Sequence, residues 1–287
     1  MRNTLILLTS LLFASLAVAD STDSQQPILR FAVIGDAEPK PEPKFPHLAR
    51  AVSDINHLAA KEKLDFVTGI GDLPHKGTMI QYQNITPVLQ QLTLPFYPIM
   101  GNEEYNAEQP EARFLEFANQ WNQGKVTLTS GKYVLEYDKV ALVMASPDYG
   151  RDFTDEGIDW MLRQLARLAP KPVLLFVHGA QLGAYPERAD KGISHPDFDK
   201  VISQPNLRAV ISGDLHMDMD RVNHSKQIGA VHYLHIPALE RTKIPDERNH
   251  SPMFRVFSID SGGQVKVETY AVGERHPLPR HAYQFSL

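Results

Sequence analysis

The chain has 287 residues, of which 43% are hydrophobic and 22% charged, enough to form a real core in one large domain or two small ones. It contains no cysteine, which excludes a disulfide framework and thiolate metal sites. The formal net charge of −5 argues against a nucleic-acid-binding surface, because such a surface is normally basic.

The first 19 residues are typical of a signal peptide. Arg2 lies in a short basic segment, residues 5–16 are apolar, and residues 17–19 form a cleavage site with small side chains. An uncleaved membrane anchor is the alternative, but the apolar run is short for a membrane span. We therefore expect a periplasmic or secreted protein, with residues 20–287 as a single mature domain and no membrane attachment after cleavage.

The first elements after the polar segment 20–27 form a predicted β-α-β unit. Residues 28–34 and 64–70 are apolar and rich in β-branched side chains, as expected of buried strands. Between them, apolar side chains recur at helical spacing over residues 45–63. Parallel strands joined by a helix are typical of α/β proteins, which hold their functional residues at the carboxyl edge of the sheet.

Helix and strand patterns alternate as far as residue 216, after which strand patterns dominate. Helices are predicted at residues 79–92, 108–121 and 155–168, with Thr154 as the N-cap of the last. Strands are predicted at residues 95–100, 133–137, 140–145, 172–177, 207–212, 231–236, 253–259 and 265–272. Residues 274–287 are expected to form an extended strap over the sheet, or a flexible tail. The pattern indicates one α/β domain with an antiparallel C-terminal part.

Acids, amides and histidines follow five of the predicted strands at the points where the strands end. These clusters are Asp36 with Glu38, Asp72, Asn102 with Glu103 and Glu104, His178, and Asp214 with His216. Taken singly, each can be explained as a solvated turn or a hydrogen-bonded core histidine. Together they are predicted to meet at one edge of the sheet, and they carry the oxygen and imidazole donors that divalent cations need.

In order and spacing, these clusters resemble the motifs of the calcineurin-like metallophosphoesterase family: Asp-x-His, Gly-Asp, Gly-Asn-His-Asp/Glu, a lone His and Gly-His-x-His. The resemblance runs from Phe31 to His216. It implies a four-layer αββα sandwich of two mixed β-sheets and a binuclear metal centre, which hydrolyses phosphoric esters by in-line attack of a metal-bound hydroxide. The ligands that it implies are Asp36 and His216 on one metal, Asp72 bridging, and Asn102 and His178 on the other.

Three positions depart from the family pattern, because Glu38, Glu103 and Asp214 stand where the motifs have histidine. Glu38 and Asp214 remain candidate ligands. Glu103 takes the position that resembles the general acid of the family, with Glu104 as a neighbour able to raise its pKa. Four carboxylates facing two divalent cations make the centre formally neutral, which favours Mn²⁺ or another hard divalent ion over Zn²⁺.

Further candidates lie near these motifs. His75 and Lys76 follow the bridging acid and are predicted to bind a small phosphorylated substrate, although an exposed lysine is the simpler interpretation of Lys76. His195 lies in a loop that could overhang the cleft or form a solvated turn. Asp218 and Asp220 are predicted to form a solvated acidic face rather than to bind metal.

Two functions remain open. The first is an exported, metal-dependent phosphoric ester hydrolase, and the second is a non-catalytic relative whose altered site serves as a binding module. All three replacements of histidine are carboxylates that can bind a metal or a proton, whereas random loss would leave small or apolar side chains. This pattern favours a working hydrolytic site.

Overall fold

The computed structural model describes residues 27–40 and 42–287, and the predicted signal peptide lies outside them. The chain forms two β-sheets flanked by helices, the four-layer α/β arrangement expected from the sequence. Its elements are β1 Leu29–Ile34, α1 Pro46–Lys61, β2 Phe66–Gly69, α2 Met79–Leu89, α3 Pro110–Asn122, β3 Lys132–Glu136, β4 Ala141–Ala145, α4 Asp155–Leu168, β5 Val173–Val177, α5 Phe198–Ile202, β6 Leu207–Ser212, β7 Ser225–Ile228, β8 Val231–His235, β9 Met253–Ile259, β10 Gln264–Ala271 and β11 Tyr283–Ser286.

Both sheets are mixed. The first has the strand order β11-β10-β9-β1-β2, in which β1 and β2 are parallel and the other neighbours antiparallel. The second has the order β3-β4-β5-β6-β8-β7, with a parallel centre from β4 to β8. The carboxyl ends of β1, β2, β5 and β6 carry all the predicted ligands except Asn102, so the topology brings distant parts of the chain to the same edge.

Three apolar clusters hold the layers together. Helices α1, α2 and α3 cover the outer face of the first sheet, and α4 and α5 cover that of the second. The third cluster fills the space between the sheets, where Phe31 stacks against Phe66 and Phe257 with ring centroids 4.8 and 5.2 Å apart. Strands buried on both faces explain the continuous apolar runs of the sequence.

The structure corrects several sequence expectations. Residues 95–100 run along β2, and the amides of Tyr97 and Ile99 donate to the carbonyl oxygens of Val67 and Gly69, but the segment forms only one isolated bridge, between Phe96 and Val67, rather than a strand. The segment 274–287 ends in β11, an edge strand, rather than in a strap or a tail. Three elements were not predicted: α5, β7 and β11. By contrast, the Thr154 side chain accepts a hydrogen bond from the Gly157 amide, which confirms the predicted N-cap.

Two predictions outside the motifs also change. Asp218 is buried and accepts hydrogen bonds from the Asp220 amide and from Arg221 Nε, both at 2.8 Å. Asp220 pairs with Arg280, so the two aspartates brace loops and do not form a solvated acidic face. His195 Nε2 lies 2.9 Å from Asp155 Oδ1, at the first turn of α4.

No helix within the described residues is long and apolar enough to cross a membrane.

Candidate metal centre

The candidate ligands lie in the loops that follow β1, β2, β5 and β6, except Asn102, which follows the extended residues 95–100. Asp36, Asp72, Asp214 and His216 all have positive φ values, between 47° and 71°. Residues other than glycine seldom adopt this left-handed conformation, and they do so most often at functional sites. These tight turns direct buried side chains to the sheet edge, where Asp36 and His216 have no exposed surface.

The first donor group consists of Glu38, Asp72 and His216, whose ligand atoms lie within 4.8 Å of one another. His216 Nδ1 lies 2.9 Å from the Arg241 carbonyl oxygen. A carbonyl only accepts hydrogen bonds, so Nδ1 carries the proton and Nε2 has a free lone pair. Nε2 is buried without a hydrogen-bond partner, 3.4 Å from Glu38 Oε1 and 3.6 Å from Asp36 Oδ1. This is the usual orientation of a metal-binding histidine.

The second donor group consists of Asp36, Asp72 and His178. His178 Nδ1 donates to the Ile70 carbonyl oxygen at 2.8 Å, and in the neutral imidazole this leaves the lone pair of Nε2 to bind a metal. Nε2 is buried without a hydrogen-bond partner, 3.3 Å from Asp72 Oδ1 and 3.7 Å from Asp214 Oδ1. Asp72 belongs to both donor groups, which is the position that a bridging ligand would have, whereas Asp36 belongs to the group of His178.

Glycine is required where the ligand loops touch. A Cβ on Gly101 would lie 2.5 Å from the Asp72 amide nitrogen and 2.7 Å from His178 Cε1. A Cβ on Gly71, which has a φ of +93°, would lie 2.7 Å from His178 Nδ1. Such distances are too short for any side chain, so the two glycines allow the ligand loops to approach each other.

Asn102 and Asp214 are both bound to an arginine that the sequence analysis missed. Arg151 Nε lies 2.7 Å from Asp214 Oδ2, while Nη2 lies 3.0 Å from Asp214 Oδ1 and 2.9 Å from Asn102 Oδ1. Arg151 follows β4 and belongs to none of the five motifs. The one available signal was Asp214 itself, because a buried carboxylate in place of histidine needs a positive partner.

Glu38 is surrounded by basic side chains. Lys40 Nζ lies 3.0 Å from its Oε2, and Arg241 Nη2 and Lys243 Nζ each lie 3.3 Å from its Oε1. Burial acts to raise the pKa of Glu38, but His216, Lys243 and Lys40 outweigh it and hold the pKa well below its usual range. Burial, together with the charge of Lys243, lowers the pKa of His216 to about 4, so that the imidazole is neutral at pH 7.

Glu103 contacts His75, and the two residues form a third donor group with Glu38. His75 Nδ1 lies 2.7 Å from Glu103 Oε2 and 3.2 Å from Glu38 Oε2. The same Glu103 oxygen accepts a hydrogen bond of 2.7 Å from the Lys76 amide. His75 thus lies beside the donor groups as predicted, whereas Lys76 contributes its backbone amide and its side chain is exposed.

Glu104 has a different place from the one predicted. Its buried carboxylate accepts hydrogen bonds from three backbone amides, those of Asp72 at 3.0 Å, Leu73 at 2.9 Å and Gly101 at 2.8 Å. These bonds join the loop after β2 to the loop that carries Asn102. Glu104 therefore positions the ligand loops, and we no longer assign it to the catalytic group.

Two clefts are candidates for substrate binding. The smaller, of about 290 Å³, opens beside Glu38 and is lined by Lys40, Lys44 and Arg241 among others. The larger, of about 830 Å³, lies around Arg30 at the amino-terminal end of β1 and contains none of the donor residues. Of the two, only the smaller cleft adjoins a donor residue, Glu38.

The profile of the calcineurin-like phosphoesterase family matches residues 29–218, which include all the donor residues. The chain belongs to this family. Similarity to solved structures agrees: a purple acid phosphatase from yellow lupin (Lupinus luteus) aligns with a TM-score of 0.63 and 12% identity, over 92% of this chain and 54% of that one. At this identity the likeness concerns the fold alone.

Two curated relatives of this phosphoesterase family member are phosphodiesterases by name. A probable glycerophosphodiester phosphodiesterase from Arcobacter nitrofigilis is 29% identical over 131 residues, 46% of each chain. A probable cyclic nucleotide phosphodiesterase from Psychrobacter arcticus is 27% identical over 175 residues, 58% of this chain and 62% of that one. The matches thus span about half to three fifths of the relatives' lengths. The chain is therefore a metallophosphoesterase family member with residue groups that could hold a metal.

Proposed function

We propose that the protein hydrolyses phosphoric esters, and phosphodiesters in particular, with a divalent cation held by Asp36, Glu38, Asp72 and His216. The observation that carries the proposal is the orientation of His216, whose buried Nε2 faces carboxylates without a hydrogen-bond partner. The donor set is rich in oxygen, which favours Mn²⁺ or another hard ion. The names of the two relatives support phosphodiesters as the substrate class.

A divalent cation in this group would polarise a phosphoryl oxygen and make a bound water more acidic. The protein's own basic side chains would orient the ester. Lys40, Arg151, Arg241 and Lys243 have side chains that are 28–30% exposed, so each can reach solvent and the donor group together. Their charges attract an anionic phosphoryl group and stabilise the additional negative charge of the transition state.

We propose that His75, held by Glu103, protonates the leaving oxygen. One Glu103 oxygen lies within 2.7 Å of both the Lys76 amide nitrogen and His75 Nδ1. Glu103 would accept hydrogen bonds from both groups and so orient the imidazole, and His75 would donate the proton to the leaving oxygen. This modifies the sequence hypothesis, in which Glu103 itself was the acid.

We also propose export, with residues 1–19 as a cleaved signal peptide and the periplasm or the extracellular medium as destination. The support is the sequence of that segment. N-terminal sequencing of the protein recovered from the exported fraction should begin at residue 20. A mature chain that retains Met1, or that stays with the cytoplasmic fraction, would contradict this proposal.

The hydrolase proposal is tested with bis(p-nitrophenyl) phosphate and p-nitrophenyl phosphate as substrates, at saturating Mn²⁺. The wild-type protein should cleave the diester faster than the monoester, and chelator should abolish turnover. The test variant is Asp72→Asn, which removes the charge of the carboxylate shared by the two donor groups with little change in shape. Diester turnover that resists chelator or survives Asp72→Asn would refute the assignment to this site.

A second candidate, a non-catalytic binding module, is favoured by the basic side chains that already contact the donor oxygens. Arg151, Lys40, Arg241 and Lys243 could bind a phosphate group without any cation. In that case isothermal titration with inorganic phosphate would detect binding in the presence of chelator, and no turnover of either ester would be measured. Loss of phosphate binding on chelation, with metal-dependent turnover, would exclude this candidate.

A further inference from the structure

We propose that the guanidinium group of Arg151 occupies the place of the second divalent cation, so that the centre combines one exchangeable cation with one fixed arginine. The proposal concerns the same site as the proposed hydrolase. Its test counts bound cations rather than turnover, so the two proposals can fail separately.

The first argument is that Arg151 engages two of the side chains that a second cation would need, Asp214 and Asn102. The family resemblance implies Asp72, Asn102 and His178 as donors to that cation, with Asp214 in the position of a further histidine. Arg151 binds both oxygens of Asp214, through Nε at 2.7 Å and Nη2 at 3.0 Å, and Nη2 also donates to Asn102 Oδ1 at 2.9 Å. A cation that took Asp214 as a ligand would have to displace a two-point guanidinium–carboxylate pair, one of the stronger hydrogen-bonded contacts in proteins.

The second argument comes from the residue type at position 214. Histidine there would serve a metal, but it would leave the guanidinium without its carboxylate, because an arginine has five donors and no acceptor. Aspartate suits the guanidinium, and Asp214 is buried with Arg151 as its arginine partner at hydrogen-bond distance. The departure from the family motif and the presence of Arg151 therefore have a single explanation.

The third argument is that the loop carrying Arg151 is held from both sides. The Asp148 amide donates to the Asp152 carbonyl oxygen at 2.9 Å, and the Asp152 amide returns a bond of 2.8 Å to Tyr149. On the other side, the Asp152 carboxylate accepts a hydrogen bond from the Ser194 amide at 3.0 Å. These hydrogen bonds fix the backbone turn from which the Arg151 side chain projects. Arg151 is therefore better suited to be a permanent part of the site than a mobile surface arginine would be.

The fourth argument is charge balance. Two of the four carboxylates, Glu38 and Asp214, are already paired with basic side chains: Lys40, Arg241 and Lys243 contact Glu38, and Arg151 contacts Asp214. Each divalent cation would add two further positive charges to this partly neutralised site. Uncompensated buried charge is costly, so the observed basic residues favour one cation over two.

The test is titration of the purified protein with Mn²⁺, followed by elemental analysis and electron paramagnetic resonance at saturation. The wild-type protein should bind one Mn²⁺ per chain at this site, with the spectrum of an isolated ion. The Arg151→Met variant keeps the aliphatic volume but removes the charge, and should gain one further Mn²⁺ per chain, magnetically coupled to the first. The matched control, Arg280→Met, removes an exposed arginine that pairs with Asp220 and should leave the count unchanged.

Two results would overturn the proposal. One is a coupled Mn²⁺ pair in the wild-type protein, a result that does not depend on any variant folding correctly. The other is an unchanged Mn²⁺ count in Arg151→Met, with a thermal unfolding midpoint close to that of the Arg280→Met control. A gain of cations in the Arg280→Met control as well would also contradict a specific role for Arg151.

Discussion

Glu104 offers a test of how the ligand loops are held. Its buried carboxylate accepts hydrogen bonds from the amides of Asp72, Leu73 and Gly101. A buried amide that loses its acceptor costs about 1–3 kcal/mol. Replacement by alanine orphans all three amides, so we expect the free energy of unfolding to fall by roughly 3–9 kcal/mol, a large part of the ~5–15 kcal/mol that stabilises a typical domain.

The Glu104→Gln variant gives the sharper measurement, because it keeps the shape and one acceptor oxygen but turns an NH₂ group towards an amide donor. We expect a loss of about 1–3 kcal/mol in urea unfolding at fixed pH. Glu116→Gln is the control, since Glu116 is exposed on α3 and its replacement should change stability by less than about 0.5 kcal/mol. If Glu104→Gln were as stable as this control, the assigned positioning role would be wrong.

Three further predictions concern charge. Burial raises the pKa of Glu240 to about 7, above its ordinary 4.5, so the folded state retains a proton that the unfolded chain releases. The free energy of unfolding should therefore fall as the pH rises from about 4.5 to about 7, and fall less in Glu240→Gln; equal slopes in the two proteins would contradict this. Lys243→Met should tighten Mn²⁺ binding by about tenfold in calorimetry, because a positive charge 3.3 Å from Glu38 is lost. The control Lys266→Met removes an exposed lysine and should leave the affinity unchanged. An unchanged affinity in Lys243→Met would refute the reasoning. Glu103→Gln should lower kcat by about 10–100-fold on a diester with a poor leaving group, and full turnover would exclude the proposed acid pair.

The fold and the positions of the candidate ligands were largely predictable because both depend on local patterns. Apolar runs buried on two faces predict strands, and polar residues at their ends predict the sheet edge at which the ligands meet. The donor residues Asp36, Asp72, His178 and His216 could thus be brought together from sequence alone, although they span most of the chain. The strand β7 was missed because its sequence, Ser-Lys-Gln-Ile, has no apolar alternation and depends on its antiparallel partner β8.

The electrostatic partners were not predictable, because they come from contacts between residues far apart in the sequence. Arg151 lies 63 residues from Asp214, and no motif connects them. Lys243 and Arg241 reach Glu38 across more than 200 residues. The direction of a side chain was equally hidden: Glu104 looked like a neighbour able to tune Glu103, but it binds the backbone amides beneath the ligand loops.

Anomalous diffraction at the manganese edge, from crystals grown at saturating Mn²⁺, tests the central claim most directly. We predict a single strong peak among Asp36, Glu38, Asp72 and His216, in contact with His216 Nε2, and an Arg151 guanidinium still bound to Asp214. The absence of any peak in this group, or a pair of peaks with Arg151 displaced, would contradict the account.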